Sequence, residues 1–275
     1  MNIKPLQFKP PPELRDRVHE VLQKSCSRAG KIILKSFGEN KKIKSKGDNN
    51  WVTETDLKAE NSIIRCIKEY FPESSFLAEE SGKSTGRHKG PSDLLWIIDP
   101  IDGTNNYIHD YPFFCVSIAL SIDGVLSYAA IFDPLKSEFF FAEKNKGAFL
   151  NGKKISVTKL NKLSKSLLCT GFITSNKKHT DINIKNFKNL IHSCRSIRRD
   201  GSAALDLAYV ACGRLDAFWE LGLNAWDTAG GILLVQEAGG TVTQINGKDY
   251  SVYDESLLAS NSYIHKDLMK KLQYK

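Results

Sequence analysis

Hydrophobic positions along the chain recur with two different periods, and together they predict alternating helices and strands. Residues 12–36 carry apolar side chains at roughly helical spacing after a proline-rich start, which predicts one long amphipathic helix with Gly38 as its stop. A second helix is predicted over 55–70, and the polar stretch 38–50 between the helices is predicted to be a loop. The apolar run 94–98 is typical of a short buried strand.

The rest of the chain predicts a β-rich middle followed by a regular alternation. Residues 113–142 have the pattern of β-strands broken by Asp-Gly and Asp-Pro turns. After them we predict strands at 166–170, 195–198, 215–220, 241–245 and 257–260, and helices at 181–193, 202–212, 227–238 and 263–273. This alternation favours α/β layering, and the β-rich middle favours two lobes, 1–160 (α+β) and 161–275 (α/β).

Composition places the chain among globular proteins. Its 275 residues can bury a large core without disulfides, and 41% hydrophobic with 25% charged residues excludes disordered, collagenous and coiled-coil classes. Since there is neither an apolar run of the ~20 residues that a membrane span needs nor an apolar signal region in MNIKPLQFKPPP, we expect a cytoplasmic protein without membrane contact. The six cysteines form no CxxC pair, so we expect reduced, mostly buried thiols.

The net charge of +8 excludes few classes of function. It agrees with attraction to an anionic partner, such as a phosphate ester or a nucleic acid, and equally with a solvated lysine-rich surface.

The candidate chemistry centres on WIIDPIDGTNNY at 96–107. Asp99 and Asp102 lie three residues apart where an apolar strand ends, and Gly103 permits a tight turn or the close approach of a ligand. A helix that opens at Thr104 would turn free N–H groups toward the acids. Paired carboxylates beside a helix N-terminus suit a phosphate that is bridged to the protein through metal ions.

Further acidic residues extend this pattern. Glu79 and Glu80 occur in SSFLAEES, Asp56 in WVTETD and Asp227 in NAWDTAGG. Taken singly, Asp56 and Asp227 are explained equally well as caps of their own helices, and the two glutamates as part of a solvated loop. Gathered within ~5 Å, carboxylates repel by roughly 3 kcal/mol per pair, which raises their pKa values unless divalent cations neutralise them.

The motifs WVTETD, LAEES, WIIDPIDGTNNY, GSAALDLAYVACGRLDAF and WELGLNAWDTAGG occur in this order. In this combination the chain resembles the inositol monophosphatase family, in particular its bacterial extragenic-suppressor branch, from about Ala29 to Ala259. The resemblance implies an αβαβα layered sandwich of the inositol monophosphatase and fructose-1,6-bisphosphatase type, usually a homodimer. The lobe 1–160 would carry most metal ligands, and 161–275 would complete a single functional unit.

The resemblance also implies roles for individual residues. It implies two or three bound Mg²⁺ ions, with Mn²⁺ as an alternative and Li⁺ as a frequent inhibitor. The ligands of these ions would be Glu79, Asp99, the carbonyl of Ile101, Asp102 and Asp227. The residues that activate the attacking water would be Asp56, Thr104 and Glu79. Phosphate and alcohol contacts would come from Asp102, Gly103, Thr104, Ala203, Glu220 and Asp227.

Several positions depart from these motifs or stay outside them. The bacterial branch commonly has Gly-Phe-Pro where this chain has Gly171-Phe172-Ile173, which leaves the alcohol preference open. The loop Lys41 to Asn50 matches poorly, so no metal ligand is assigned there. We expect His109 in a surface loop and Cys115 in the core.

The resemblance implies Mg²⁺-dependent hydrolysis of small phosphomonoesters, with myo-inositol 1-phosphate as the first candidate substrate. The same site acting on fructose 1,6-bisphosphate, histidinol phosphate or 3′-phosphoadenosine 5′-phosphate is the alternative within the enzyme class. A mainly non-catalytic protein in contact with the transcription and ribosomal RNA machinery is the alternative from another class.

Overall fold

The computed structural model describes residues 12–39, 43–47, 50–86 and 93–274. Helix α1 (Pro12–Ser36) confirms the first predicted helix. The segment predicted as a loop instead contains an antiparallel hairpin of β1 (Ile43–Gly47) and β2 (Asn50–Thr53), which precedes α2 (Glu54–Tyr70). The prediction missed β1 because IKSKG is lysine-rich and lacks the apolar alternation of a half-buried strand.

Eight strands form the larger sheet, and a short helix follows the third of them. In chain order these elements are β3 (Ser75–Ala78), β4 (Gly82–Ser84), β5 (Leu94–Asp102), α3 (Thr104–Ile108), β6 (Cys115–Ile122), β7 (Val125–Asp133), β8 (Glu138–Glu143), β9 (Gly147–Leu150) and β10 (Lys153–Ile155). The sheet order is β10-β9-β8-β7-β6-β5-β3-β4, and its pairs are antiparallel except β3 with β5. Strand β5 extends beyond the predicted end at residue 98 and includes DPID as its last four residues.

The second half of the chain forms a smaller sheet with helices on both faces. After a 3₁₀ turn (Leu163–Lys165), its elements are β11 (Leu167–Thr170), α4 (Lys177–Ile191), β12 (Ser196–Arg198), α5 (Ala203–Ala211), β13 (Ala217–Leu221), α6 (Ala225–Glu237), β14 (Thr241–Thr243), β15 (Ser256–Ser260) and α7 (His265–Lys271). The order is β12-β11-β13-β15-β14, with the first three strands parallel. The predicted alternation is therefore confirmed, although α4 begins four residues earlier than predicted.

The alternation of side chains across each sheet builds five layers. On β6, Ile118 belongs to the core shared with α1 and α2, whereas Ala119 packs with α6. On β13, Phe218 belongs to the core around α5 and α6, whereas Trp219 packs on the side of α4 and α7. Helices α5 and α6 thus lie between the sheets, and the expected αβαβα sandwich is confirmed.

The remaining expectations about single residues concern cysteine and histidine. All six cysteines are free thiols, four of them buried, and Cys115 is completely buried in the core as expected. His109 is exposed directly after α3. Within the described ranges, the helices are all too short or too polar to cross a membrane.

Candidate active site

The end of β5 and the start of α3 form the centre of the site. The pairing of β5 with β6 is irregular between Asp99 and Asp102, and both side chains are buried in this bend. Gly103 follows with φ +97°, and a Cβ atom there would lie 3.0 Å from the carbonyl oxygen of Phe113 and 3.2 Å from that of Gly201. Glycine therefore permits the turn, and its missing side chain lets the backbone at Phe113 and Gly201 approach closely.

Three carboxylates from the two halves of the chain converge at this bend. Asp99, Asp102 and Asp227 each place an oxygen within 4.8 Å of the others. Asp227 lies in the first turn of α6, where its Oδ2 accepts a hydrogen bond of 2.7 Å from the backbone N–H of Asn224. Glu79 lines the same pocket from the end of β3. Because these donors are hard oxygen ligands of one sign of charge, the set fits a divalent cation such as Mg²⁺.

The electrostatics of the cluster agree with this fit. Burial raises the pKa of Asp99 well above its usual value, and the charges of Glu79 and Asp102 raise it further. Burial and the charge of Asp102 raise the pKa of Asp227 to about 7. The metal-free protein therefore retains protons at a pH where isolated aspartates are ionised, and a divalent cation would replace them.

Asp102 has a second contact that sequence reasoning missed. Its Oδ2 accepts hydrogen bonds of 2.6 Å from the Ser202 hydroxyl and 2.6 Å from the backbone N–H of Ala204, at the start of α5. These bonds partly offset the effect of burial, which raises the pKa of Asp102 to about 6. The aspartate of the larger sheet thus caps the helix between the sheets while its carboxylate remains in the acidic cluster.

Asp56 and Thr104 meet beside the cluster. The Oδ2 atom of Asp56 accepts a hydrogen bond of 2.8 Å from the backbone N–H of Thr53 and completes a capping box at the start of α2. Its Oδ1 atom lies 3.3 Å from the hydroxyl of Thr104, which is also 3.0 Å from the carbonyl oxygen of Ile101. One oxygen of Asp56, Oδ2, therefore caps α2, while the other, Oδ1, contacts Thr104. The capping interpretation and the functional one thus apply to different oxygens of one carboxylate.

Glu220 lines the same pocket and lies against Gly171. Burial and the charge of Asp227 raise the pKa of Glu220 to about 8, while Arg199 lowers it. A Cβ atom at Gly171 would lie 2.2 Å from Oε2 of Glu220, so any larger residue at position 171 would clash with this carboxyl group.

The predicted site residues converge on one pocket of about 300 Å³. Those that line it are Glu79, Asp99, Ile101, Asp102, Gly103, Thr104, Ala203, Glu220 and Asp227, and Asp56 reaches it through Thr104. Residues that line it without having been predicted include Trp51, Arg199 and Asp206. Arg199 and Asp206 lie beside or within GSAALD, and Trp51 is the first residue of WVTETD, so both motifs were a signal although none of the three residues was assigned a role.

A layered α/β fold with carboxylates gathered at a strand end, in one pocket, is the arrangement expected of a metal-dependent phosphomonoester hydrolase. The sequence model of the Inositol monophosphatase family matches residues 14–275. The chain belongs to the inositol monophosphatase family, and the resemblance seen in the motifs is confirmed.

Individual relatives agree with this assignment. The chain is 41% identical over 254 residues to an inositol-1-monophosphatase of Synechocystis sp., covering 92% of this chain and 88% of the relative. It is 39% identical over 254 residues to Nus factor SuhB of Pseudomonas aeruginosa, covering 91% and 93%. The crystal structure of extragenic suppressor protein SuhB from Bartonella henselae superposes with a TM-score of 0.88 at 36% identity, covering 93% of this chain and 98% of that one.

Proposed function

We propose that this phosphomonoester hydrolase uses Mg²⁺ to release phosphate from small polyol monophosphates, with myo-inositol 1-phosphate as the preferred substrate. The observation that carries the proposal is that Asp99, Asp102 and Asp227 meet in a pocket that Glu220 also lines. The acidic cluster suits cations and a phosphate. We assign Glu220, with Ala203 and Asp206, to the hydroxyls of the alcohol and call these residues the alcohol end of the pocket.

The metal would be held by residues from both halves of the chain. We propose two or three Mg²⁺ ions, with Mn²⁺ as a substitute and Li⁺ as an inhibitor, on Glu79, Asp99, the carbonyl of Ile101, Asp102 and Asp227. When bound, the ions would neutralise phosphate charge and lower the pKa of a water. Residues 1–160 and 161–275 would then be two lobes of one functional unit.

Asp56 and Thr104 would orient the attacking water. The Thr104 hydroxyl has one proton, and donating it to Asp56 leaves the oxygen lone pairs free to accept a hydrogen bond from water. As water attacks phosphorus, it would pass a proton to the Thr104 oxygen while the Thr104 hydroxyl passes its own proton to the Asp56 carboxylate, and Glu79 would assist in activating the water. The backbone N–H groups of Gly103 and Thr104 would hold the phosphate oxygens.

The alcohol end of the pocket favours a monophosphate over a bisphosphate. Glu220 and Asp206 line this end together with Ala203, and Arg199 is the one basic side chain among the described lining residues. A second phosphate would meet these acids, whereas neutral hydroxyl groups can donate hydrogen bonds to them. This argues against fructose 1,6-bisphosphate and 3′-phosphoadenosine 5′-phosphate, and for a polyol.

Two further properties are proposed beside catalysis. We propose a cytoplasmic homodimer, as the family resemblance implies. The relatives named Nus factor SuhB support a contact with the transcription machinery, as a role in addition to hydrolysis and not as a replacement for it.

A substrate panel tests the proposal. Phosphate release is measured with Mg²⁺ on myo-inositol 1-phosphate, histidinol phosphate, fructose 1,6-bisphosphate and 3′-phosphoadenosine 5′-phosphate. We expect the highest kcat/KM for inositol 1-phosphate, its loss in Asp99→Asn, and its retention in Asp267→Asn, which changes a half-exposed aspartate of α7. A higher kcat/KM for either bisphosphate would overturn the assignment of the substrate.

A further inference from the structure

A buried amide on the outer layer of the sandwich bonds to Gly171, a residue that lines the pocket. Asn183 on α4 is only 2% exposed. Its Nδ2 atom donates hydrogen bonds to the hydroxyl of Thr170 at 2.9 Å and to the carbonyl oxygen of Gly171 at 2.6 Å. Its Oδ1 atom accepts a hydrogen bond of 2.6 Å from the indole nitrogen of Trp219. The side chain thereby spans the ends of two neighbouring strands, β11 and β13.

The chemistry of the partners fixes the orientation of this amide. An indole N–H can only donate, so the oxygen of Asn183 must face Trp219 and its NH₂ group must face Thr170 and Gly171. Thr170 in turn donates its proton to the carbonyl oxygen of Trp219 at 2.7 Å. The bonds form a closed ring from Trp219 to Asn183 to Thr170 and back, in which every donor has an acceptor. Such a fully satisfied buried network holds its members in one arrangement.

The residues that follow the ring on both strands face each other in the pocket. Gly171 comes directly after Thr170, and Glu220 comes directly after Trp219. Thr170 and Trp219 are register partners in the parallel pair of β11 and β13. The Glu220 carboxyl group fits against the bare Cα of Gly171, where a Cβ atom would lie 2.2 to 2.5 Å from its atoms. A shift of either strand end therefore changes where this carboxyl group lies.

Asn183 also bonds to the first residue of the loop 171–175, which lines the pocket. Residues 171–175 all line the pocket, and Asn183 holds the first carbonyl of this segment. Asn183 itself does not line the pocket, so its effect on a substrate passes through Gly171 and Glu220.

We propose that Asn183 is a positioning residue for substrate specificity: it fixes Gly171 against Glu220 and so sets the geometry in which the substrate alcohol is recognised. This inference rests on the proposed function, because it takes Glu220 as the group that contacts substrate hydroxyls. The residues proposed to hold phosphate and metal come mainly from β5, α3 and α6, and none of these elements contributes a member of the ring.

The helix offers a matched control for the test. Asn186 lies one turn further along α4, is fully buried, and also bonds through both ends of its amide, with Nδ2 to the carbonyl oxygen of Gln273 and Oδ1 to its N–H. It ties α4 to the C-terminal segment and has no contact with the pocket. Asn183→Ala and Asn186→Ala thus remove the same buried side chain from one helix, with three hydrogen bonds lost in the first variant and two in the second.

The experiment compares a hydroxyl-rich substrate with one that lacks hydroxyls. kcat and KM are measured for myo-inositol 1-phosphate and for p-nitrophenyl phosphate, with Mg²⁺. In Asn183→Ala we expect the ratio of kcat/KM for the inositol ester to kcat/KM for p-nitrophenyl phosphate to fall roughly three- to tenfold. The fall should come from a higher KM for the inositol ester, and a change of this factor corresponds to the free energy of one or two hydrogen bonds. In Asn186→Ala the ratio should stay at the wild-type value even if stability falls equally.

The outcomes separate this inference from the proposed function. If the wild-type protein hydrolyses p-nitrophenyl phosphate but not inositol 1-phosphate, the proposed substrate fails. If it prefers inositol 1-phosphate and Asn183→Ala keeps the same ratio, the positioning role is overturned. Should Asn183→Ala not fold, Thr170→Val decides, because it opens the same ring with little change in volume: a lower ratio that Thr170→Ser restores supports the proposal, and an unchanged ratio refutes it.

Discussion

Neutralising one carboxylate of the acidic cluster should make the metal-free protein more stable. Asp227→Asn is the most suitable change because the asparagine oxygen can keep the hydrogen bond from the backbone N–H of Asn224, so the capping box survives. The new amide group can also donate to a neighbouring carboxylate of the cluster. The substitution therefore removes charge repulsion and burial of charge without emptying the site.

The size of the effect follows from the pKa of Asp227. It is raised from 3.8 to about 7 by burial and by Asp102, a difference of roughly 3 units. At about 1.4 kcal/mol per unit, ionising this carboxyl group costs the folded protein up to about 4 kcal/mol, less whatever solvent in the open pocket relieves. Because the folded-state pKa is raised, the favourable contribution is complete below pH 3.8 and is lost as pH rises through about 7.

Denaturant unfolding in EDTA at a series of pH values measures this directly. Asp227→Asn and wild type should have equal stability near pH 4, and the variant should be more stable by a few kcal/mol at pH 8. With Mg²⁺ at 100 times its dissociation constant, wild type should gain about 2.7 kcal/mol and the variant much less. Asp267→Asn, at an exposed site, should follow wild type throughout.

Two results would refute the reasoning. A wild-type protein that is as stable as Asp227→Asn at pH 8 in EDTA would mean that the cluster carries no uncompensated charge. An equal gain from Mg²⁺ in both proteins would mean that Asp227 is not part of the cation site.

The other predictions concern the water, the alcohol and the packing of the helices. Asp56→Asn should lower kcat about 10²- to 10⁴-fold with KM nearly unchanged, since an amide accepts no proton, and the double variant with Thr104→Ala should be no slower than the worse single variant in single-turnover assays. Near-wild-type chemistry in Asp56→Asn would leave helix capping as its only role. Glu220→Gln should raise KM for inositol 1-phosphate severalfold, most strongly above pH 8, where its raised pKa leaves the wild-type carboxyl group ionised; a large loss of Mg²⁺ affinity in calorimetry would instead make Glu220 a metal ligand. Gly231→Ala should lower the unfolding free energy by about 1–3 kcal/mol, because the new Cβ atom would lie 2.4 Å from Leu207 where α5 meets α6, and an unchanged denaturation midpoint would contradict this.

Local patterns predicted most of the fold because most elements follow their own hydrophobic period. The helices α1 and α2 and the alternation of the second half have apolar faces that the sequence displays directly. The short strands β3, β4, β9 and β10 were not predicted, since three or four residues are too few to establish a hydrophobic period. The hairpin before α2 was not predicted because its first strand, IKSKG, lacks the apolar alternation of a half-buried strand.

The site shows a similar division. Asp99, Asp102 and Gly103 lie in one motif, so spacing alone predicted their proximity. Glu79 and Asp227 were already candidates as acidic residues, and the family resemblance supplied their roles and added Glu220. No local pattern shows that Asp102 caps α5, because that contact joins residues 102 positions apart. The ring around Asn183 was missed because an asparagine within a polar helix has no distinguishing signal until the strands behind it are in place.

The most direct test of the central claim is the Mg²⁺ dependence of phosphate release from myo-inositol 1-phosphate by protein stripped with EDTA. We expect no release without metal, recovery as Mg²⁺ is titrated back, and no recovery in Asp99→Asn at concentrations that saturate the wild type. Full activity in EDTA, or recovery of Asp99→Asn along the wild-type curve, would contradict the claim that these carboxylates hold the cation on which hydrolysis depends.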